Sequence, residues 1–283
     1  MKILITGAKG QLGLTLQDVL KKHELILTDR EELDITDSQT VDNYISKSKP
    51  DIIINTAAYT AVDKAEEEKE LAESINALGP KILAEAAKKN KTIFFHISTD
   101  FVFDGKSKTP YIEDDEPKPV SIYGQTKYDG DLAIKEIGGK YYILRPAWLY
   151  SPFGKNFVKT MIKLGQERDE LKVVADQIGC PTYTYDLANA IKFIIDHNFS
   201  ADFGLYHFTG DGSCSWFEFA TKIIKLSGGK AKVLKITTEK YGAPAARPAY
   251  SVLNCTKIKA FGVKTYSWQK SLRKCLEILK SEN

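Results

Sequence analysis

Tyr123 and Lys127, four residues apart in the stretch Tyr-Gly-Gln-Thr-Lys, could do acid–base chemistry at a carbonyl. On a helix, positions i and i+4 share a face. A phenol with a pKa of about 10 is a poor acid–base group at neutral pH. A neighbouring ammonium favours its phenolate and is expected to lower that value. Tyr123 can then give a proton to a carbonyl oxygen as hydride reaches the carbon. Thr99, in the run Ile97-Ser98-Thr99-Asp100 at the end of an apolar stretch, can hydrogen-bond the same oxygen. Taken alone, the Tyr–Lys pair describes an exposed tyrosine beside a solvated lysine equally well, because 14 tyrosines offer many such pairs by chance. The motifs that precede it give it weight.

The first apolar run ends in Thr6-Gly7-Ala8-Lys9-Gly10-Gln11-Leu12-Gly13, and a helical pattern follows. Gly7, Gly10 and Gly13, spaced G-x-x-G-x-x-G, permit a tight turn, close approach of backbone to a pyrophosphate, and close helix–strand packing. The alternative is a glycine-rich turn without a ligand; its place after the first strand favours a dinucleotide. The second apolar run ends at Asp29-Arg30. An acidic residue about 20 positions beyond the glycine turn suits the ribose hydroxyls of NAD, whereas Arg30 suits the 2′-phosphate of NADP. The sequence leaves both open. Asp34 and Ile35 close the same loop and could flank an adenine.

Other chemistries are disfavoured. Cys180, Cys214, Cys255 and Cys275 form no C-x-x-C pair, and His23, His96, His197 and His207 lack ligand spacing. No metal site is therefore expected, and the cysteines are expected to be free thiols. A net charge of +3, with scattered lysines, gives no reason to expect nucleic acid. The opening apolar run is broken at Gly7, Lys9 and Gly10, too early for a secretory leader. No stretch approaches the roughly 20 apolar residues of a membrane span, so a cytoplasmic protein with no membrane partner is expected.

To bring these groups together the chain needs strands alternating with helices. Residues 2–6, 24–28, 51–55, 93–98 and 141–145 read as strands, and 11–21, 36–46, 65–90 and 123–136 as helices. That alternation predicts an α/β fold with a doubly wound parallel sheet of Rossmann type. Consecutive isoleucines at 52–54 fit a strand covered on both faces. The character changes near Tyr150. Residues 1–150 are expected to form the dinucleotide-binding domain, completed by about 182–197. Residues 151–283 are expected to be mainly a smaller substrate-binding domain. There, 157–165, 185–197, 215–226 and 268–280 read as helices, and 171–174 and 204–208 as strands.

In this order, the motifs resemble those of the extended short-chain dehydrogenase/reductases, and within them the dTDP-4-dehydrorhamnose reductase family. The resembling segments are residues 7–13, 51–66 (DIIINTAAYTAVDKAE), 98–105 (STDFVFDG), 123–127 (YGQTK), 144–150 (LRPAWLY), 156–159 (NFVK) and 246–248 (ARP). They run through nearly the whole chain. STDFVFDG and AAYTAVDKAE are particular to this branch, while the glycine turn is widely shared.

The resemblance implies NAD(P)H-dependent reduction, with a lean to NADPH, of the C4 ketone of a dTDP-sugar in dTDP-rhamnose synthesis. Gly10, Gln11 and Leu12 would line the pyrophosphate, and Asp34 and Ile35 the adenine. Ala58, Tyr59 and Thr60 would follow the cofactor. Thr99, Tyr123 and Lys127 would form the catalytic set, with Lys127 also on the nicotinamide ribose. Asp100 and Trp148 would contact the sugar; read without the resemblance, Trp148 is a core aromatic. Asn156 and Arg247 would reach the diphosphate, a task that suits the planar fork of Arg. Without the resemblance, Arg247 is a surface residue beside Pro248.

Some members of the family carry a glutamate just after the glycine turn that helps hold Mg²⁺ between two subunits. Thr15 stands at that place here, so no metal is expected and the chain is expected to be a monomer or homodimer. Two alternatives remain: a reductase for another nucleotide 4-keto-6-deoxysugar, and a non-catalytic subunit resembling the regulatory partner of methionine adenosyltransferase.

Overall fold

The structure is a computed structural model and describes residues 1–199 and 201–281. It begins with β1 (Lys2–Thr6), α1 (Gln11–Val19), β2 (Glu24–Thr28), α2 (Ser38–Ser48) and β3 (Ile52–Asn55). A helical arm follows in three pieces: α3 (Lys69–Glu73), a π turn (Ser74–Leu78) and α4 (Gly79–Lys89). Next come β4 (Ile93–Ile97), α5 (Ile122–Ile137) and β5 (Tyr141–Arg145).

In the later chain are β6 (Leu149–Tyr150), α6 (Phe157–Glu167), β7 (Glu170–Val174), β8 (Ile178–Gly179), β9 (Thr182–Tyr183) and α7 (Thr184–Asp196). They are followed by β10 (Gly204–His207), β11 (Cys214–Ser215), α8 (Trp216–Ser227), β12 (Lys232–Ile236), α9 (Thr238–Tyr241), α10 (Thr256–Lys259) and α11 (Trp268–Ser281).

Six strands form one sheet in the order β10-β5-β4-β3-β1-β2, parallel throughout. The isoleucine run of β3 is fully buried because its alternating side chains meet different layers. Ile52 and Ile54 join the cluster containing Leu12 and Leu16 of α1 and Leu187 and Ile191 of α7. Ile53 joins Val41 and Ile45 of α2, Leu83 of α4 and Ile134 of α5. This is a doubly wound α/β fold of Rossmann type, as the alternation in the sequence predicts.

The chain leaves β1 for β2 on one side and returns to β3 on the other. Such a reversal opens a crevice beyond the carboxyl ends of the strands, where α/β sheets bind ligands.

A second core lies against that crevice. It packs Val158 and Met161 of α6, Leu171 and Val173 of β7, Phe219 and Ile223 of α8, and Trp268 and Leu272 of α11. The chain interleaves the two regions: α7 packs on α1, and β10 extends the main sheet beside β5.

Two local expectations need correction. Residues 65–90 do not form one helix, because the arm is interrupted by the π turn. The side chain of Asn76 there bonds the backbone of Tyr59 at both ends (2.9 and 3.1 Å) and Thr126 Oγ1 (3.2 Å). Those tertiary bonds and the close approach of α5 at Gly130, where a Cβ would lie 2.3 Å from Asn76 O, hold the bulge. The strand β12, not anticipated, pairs in parallel with β7. Among the described residues no helix is long and apolar enough to cross a membrane. Cys180, Cys214 and Cys255 are buried free thiols.

Candidate active site

The crevice is a cleft of about 1060 Å³. Its floor begins at Gly7, whose φ of +66° and proximity to Ala57 N, 2.7 Å from where a Cβ would stand, admit no side chain. At Gly13 a Cβ would stand 2.4 Å from Gly7 O, so α1 can start tightly against the turn only with glycine there. Gly10 caps α1 without a side-chain hydrogen bond, and the first turn holds no acidic residue. Its N–H groups and the positive end of the helix are thereby left for an anion.

At the end of β2, Asp29 is turned back on the glycine turn. Its carboxylate accepts from the N–H groups of Lys9 (3.0 Å) and Arg30 (3.1 Å). Arg30 is exposed and its nearest acid, Asp34, stands 3.9 Å away. The Asp34 carboxyl accepts from Thr36 Oγ1 (2.7 Å) and Thr36 N (2.9 Å), which hold it below the usual carboxylate range.

The helix α5 starts at Ile122 because the side chain of Ser121 accepts from Gly124 N. That places Tyr123 in the first turn and Lys127 one turn on, both lining the cleft. Thr99 begins the turn after β4, with its hydroxyl 3.2 Å from Asp100 Oδ1 and accepting from Phe101 N. Asp100 is buried and its Oδ2 has no hydrogen-bond partner among the described residues. Burial pushes this carboxyl up to about 6, against hydrogen bonds with Ser251 and Thr99.

Tyr123 is half-buried as a residue, its hydroxyl being the enclosed end. Burial pushes the phenol up to about 12; a hydrogen bond with Thr99 pulls the other way and the charge of Asp100 adds to the rise. The expected lowering by Lys127 is therefore a correction. The lysine nitrogen is engaged elsewhere: Nζ donates to Ile97 O at 2.6 Å and lies 3.3 Å from His96 Nε2. Burial in turn pulls Lys127 down to about 8, with the charge of Asp131 opposing. A phenol this high remains protonated at neutral pH, the state a proton donor needs.

Behind this turn lies a fully buried ion pair. Asp131 Oδ2 accepts from Arg145 Nε (3.0 Å), Arg145 Nη2 (2.9 Å) and Ser98 Oγ (2.9 Å). It ties β5 and α5 to the residue preceding Thr99.

The far wall comes from the later chain. Trp148, at φ +48°, stacks on Trp216 with centroids 3.6 Å apart and planes 8° from parallel. The side chain of Asn156 caps α6 through Lys159 N and donates to Gln11 Oε1 (3.0 Å) and Ser151 O (2.7 Å). Arg247 lines the cleft but is paired with Asp63 at 2.8 Å, and Ala245 N donates to the same carboxylate. Thr15 is buried, its hydroxyl donating to Gln11 O at 2.8 Å and lying 2.9 Å from the Thr184 hydroxyl.

Gly7, Gly10, Gln11, Leu12, Asp29, Arg30, Asp34, Ile35, Ala58, Thr60, Thr99, Asp100, Tyr123, Lys127, Trp148, Asn156 and Arg247 thus all border one cleft. Gly13 and Tyr59 do not. Gly13 is packed under the turn, and the Tyr59 hydroxyl points away to Glu68 at 2.5 Å. Sequence reasoning missed Trp216 and Asn76. A capping box, Ser215 with Glu218, marks the helix that presents Trp216, but nothing local says its first residue faces the cleft.

A family model described as the RmlD substrate binding domain matches residues 1–281. A dTDP-4-dehydrorhamnose reductase of Aggregatibacter actinomycetemcomitans is 42% identical over 96% of this chain and 97% of its own. The crystal structure of a dTDP-4-dehydrorhamnose reductase from Clostridium acetobutylicum superposes with a TM-score of 0.95 at 48% identity, covering 99% of this chain and 100% of the other. One from Bacillus anthracis, solved in complex with NADP, gives a TM-score of 0.94 at 44% identity, covering 98% and 99%.

Proposed function

The chain belongs to the RmlD substrate binding domain family, and on that footing we propose that it is an NADPH-dependent reductase of the C4 ketone of dTDP-4-dehydro-L-rhamnose, forming dTDP-L-rhamnose. The observation that carries this reading is the meeting of Thr99, Tyr123 and Lys127 in one cleft with the glycine turn and the Trp148–Trp216 wall.

The cleft fits a dinucleotide. The helix N-terminus has no side-chain cap, and the glycines at 7 and 13, where a Cβ would meet backbone, let the turn and α1 pack tightly beneath a pyrophosphate. Gly10, Gln11 and Leu12 would hold the pyrophosphate, Asp34 and Ile35 the adenine, and Ala58 and Thr60 the stretch toward the nicotinamide. Tyr59, outside the cleft with its backbone held by Asn76, would not touch the dinucleotide. When bound, NADPH supplies the hydride. Thr99 and Tyr123 orient the ketone oxygen, and Tyr123 gives it a proton as charge develops. Lys127 would hold the nicotinamide ribose. Asp100 and Trp148 would contact the sugar.

With Asp29 spent on backbone N–H groups, Arg30 is the better reader of the adenosine ribose. Arg30→Ala is expected to weaken NADPH binding about tenfold at low salt and to spare NADH, the difference shrinking as salt is added. Equal losses for both would remove the 2′-phosphate contact.

Arg247 would serve the substrate diphosphate while anchored by Asp63, and Asn156 would steady the loop beneath it. For Arg247→Ala, dTDP-sugar binding is expected to fall roughly tenfold to hundredfold, with cofactor binding nearly unchanged. An unchanged sugar affinity would leave Arg247 as a clasp between Asp63 and the 242–249 loop.

The enzyme is read as cytoplasmic, a monomer or homodimer, without a nucleic-acid or membrane partner. NADPH oxidation that requires the purified dTDP-4-keto sugar tests the proposal. Absence of such oxidation, with binding of both ligands intact, would instead favour the non-catalytic regulatory reading.

A further inference from the structure

Four buried polar side chains form a row beneath the cleft. Thr6 ends β1, Asn55 ends β3 and His96 is the penultimate residue of β4; in the sheet register Thr6 faces Asn55 and Asn55 faces His96. Thr6 Oγ1 donates to Asn55 Oδ1 at 2.7 Å, Asn55 Nδ2 lies 3.1 Å from His96 Nδ1, and His96 Nε2 lies 3.3 Å from Lys127 Nζ. All four residues are at most 1% exposed. A buried polar row is costly unless every proton has an acceptor, so its protons can be placed one by one.

The backbone N–H of Ala57 can only donate, and it donates to Asn55 Oδ1 at 3.1 Å. That identifies Oδ1 and leaves Nδ2, which also can only donate, facing His96 Nδ1. Nδ1 must therefore accept. Burial holds His96 well below its usual range, with the charge of Lys127 adding to the effect, so the ring is neutral and carries one proton. That proton is on Nε2 and points at Lys127 Nζ. An ammonium has no lone pair to receive it; an amine has one.

We propose that His96 is a positioning residue for Lys127: locked by Asn55 in the Nε2–H tautomer, it fixes the lysine nitrogen at the cleft and favours its amine over its ammonium form. The other groups that act on that nitrogen are the carbonyl of Ile97, which accepts from it, and the charge of Asp131 on α5. The charge of Asp131 favours the ammonium but is shared with Arg145. His96 acts in the same direction as burial. Burial already brings Lys127 to about 8, the range where it can give up and regain a proton near neutral pH. An unperturbed lysine, near 10.4, would hold that proton more than a hundredfold tighter. The role of the lysine as the partner of Tyr123 rests on the reductase reading; the tautomer does not.

The test uses the cofactor-free protein labelled with ¹⁵N in histidine. Long-range ¹H–¹⁵N correlation reports which ring nitrogen bears the proton, and the His96 signals are those missing from His96→Gln. A protonated Nε2 with a bare Nδ1 is expected; a proton on Nδ1, or on both nitrogens, overturns the proposal. With ¹³C-labelled lysine, the Cε shift of Lys127, identified by its loss in Lys127→Arg, gives the titration midpoint. It is expected to rise by about one pH unit in His96→Leu, a tenfold change in proton affinity. It should move little in His96→Gln, whose amide N–H can stand in for Nε2–H. A folded His96→Leu with an unmoved midpoint also overturns it, as does an equal rise in both variants. Both readouts are made without substrate, so failure of this proposal and failure of the reductase reading are told apart.

Discussion

Tyr123→Phe is expected to lower turnover by about 10²–10⁴-fold, the usual contribution of a general acid, with NADPH and dTDP-sugar affinities nearly unchanged. The substitution removes only the oxygen that Thr99 holds. The ring remains, and with it the edge-to-face contact with Phe101 at 5.4 Å. In the reduction direction the phenol must be protonated before hydride transfer, and burial, which pushes it up to about 12, ensures that it is. Loss of phenol protonation is therefore not expected to limit the rate between pH 6 and 9. Steady-state turnover measured beside equilibrium binding separates the two effects. Near-normal turnover in the variant would remove Tyr123 as proton donor.

Asp131→Ala is expected to have the largest effect on stability. Asp131 and Arg145 are fully buried, and three donors converge on Asp131 Oδ2. Removing the carboxylate strands the guanidinium, whose Nη1 already lacks a partner among the described residues and whose main other contact is the face of Phe103 at 5.5 Å. Breaking a buried pair from one side costs about 3–5 kcal/mol, a large share of the roughly 5–15 kcal/mol that stabilises a domain. At roughly 2–4 °C per kcal/mol, Tm should fall on the order of 10 °C. Because Ser98 loses its acceptor as well, the Thr99 turn should loosen and activity should fall in the fraction that stays folded. Replacing both partners with apolar residues, Asp131→Leu with Arg145→Met, should recover most of the loss, since no charge is then left buried alone. A single variant within about 1 kcal/mol of the parent in denaturant unfolding would contradict the argument.

The strands of the main sheet were legible because both faces are covered, which forces runs such as Ile52-Ile53-Ile54. The glycine turn and the Tyr123–Lys127 spacing were legible for a related reason: a pyrophosphate and a shared helix face each impose a fixed local pattern. Features fixed by distant partners could not be read. The break at Asn76 depends on Tyr59 and Thr126. The turn of Asp29 onto the backbone of Lys9 is what tips the cofactor question, and Asp29-Arg30 as a sequence leaves it open. Arg145 looks like an ordinary charged strand end until Asp131 is brought beneath it. His96, without ligand spacing, gave no sign of the row it completes from β1 to α5. The strand β12 is edge-like, with Lys232 and Lys235 exposed and Val233, Leu234 and Ile236 only partly buried, so neither a fully buried run nor a strict alternation marks it.

The central claim is that hydride from the nicotinamide reaches C4 of the sugar while Tyr123 protonates the oxygen. The most direct measurement follows a deuterium label. NADPH carrying deuterium at the transferable C4 position of the nicotinamide is incubated with the wild-type chain and dTDP-4-dehydro-L-rhamnose, and the product is examined by mass and proton spectra. The account predicts dTDP-L-rhamnose with one deuterium, bound to C4 of the sugar, formed in step with NADPH oxidation. Deuterium at another carbon, oxidation that does not depend on the sugar, or no turnover by a folded chain that binds both ligands would contradict it.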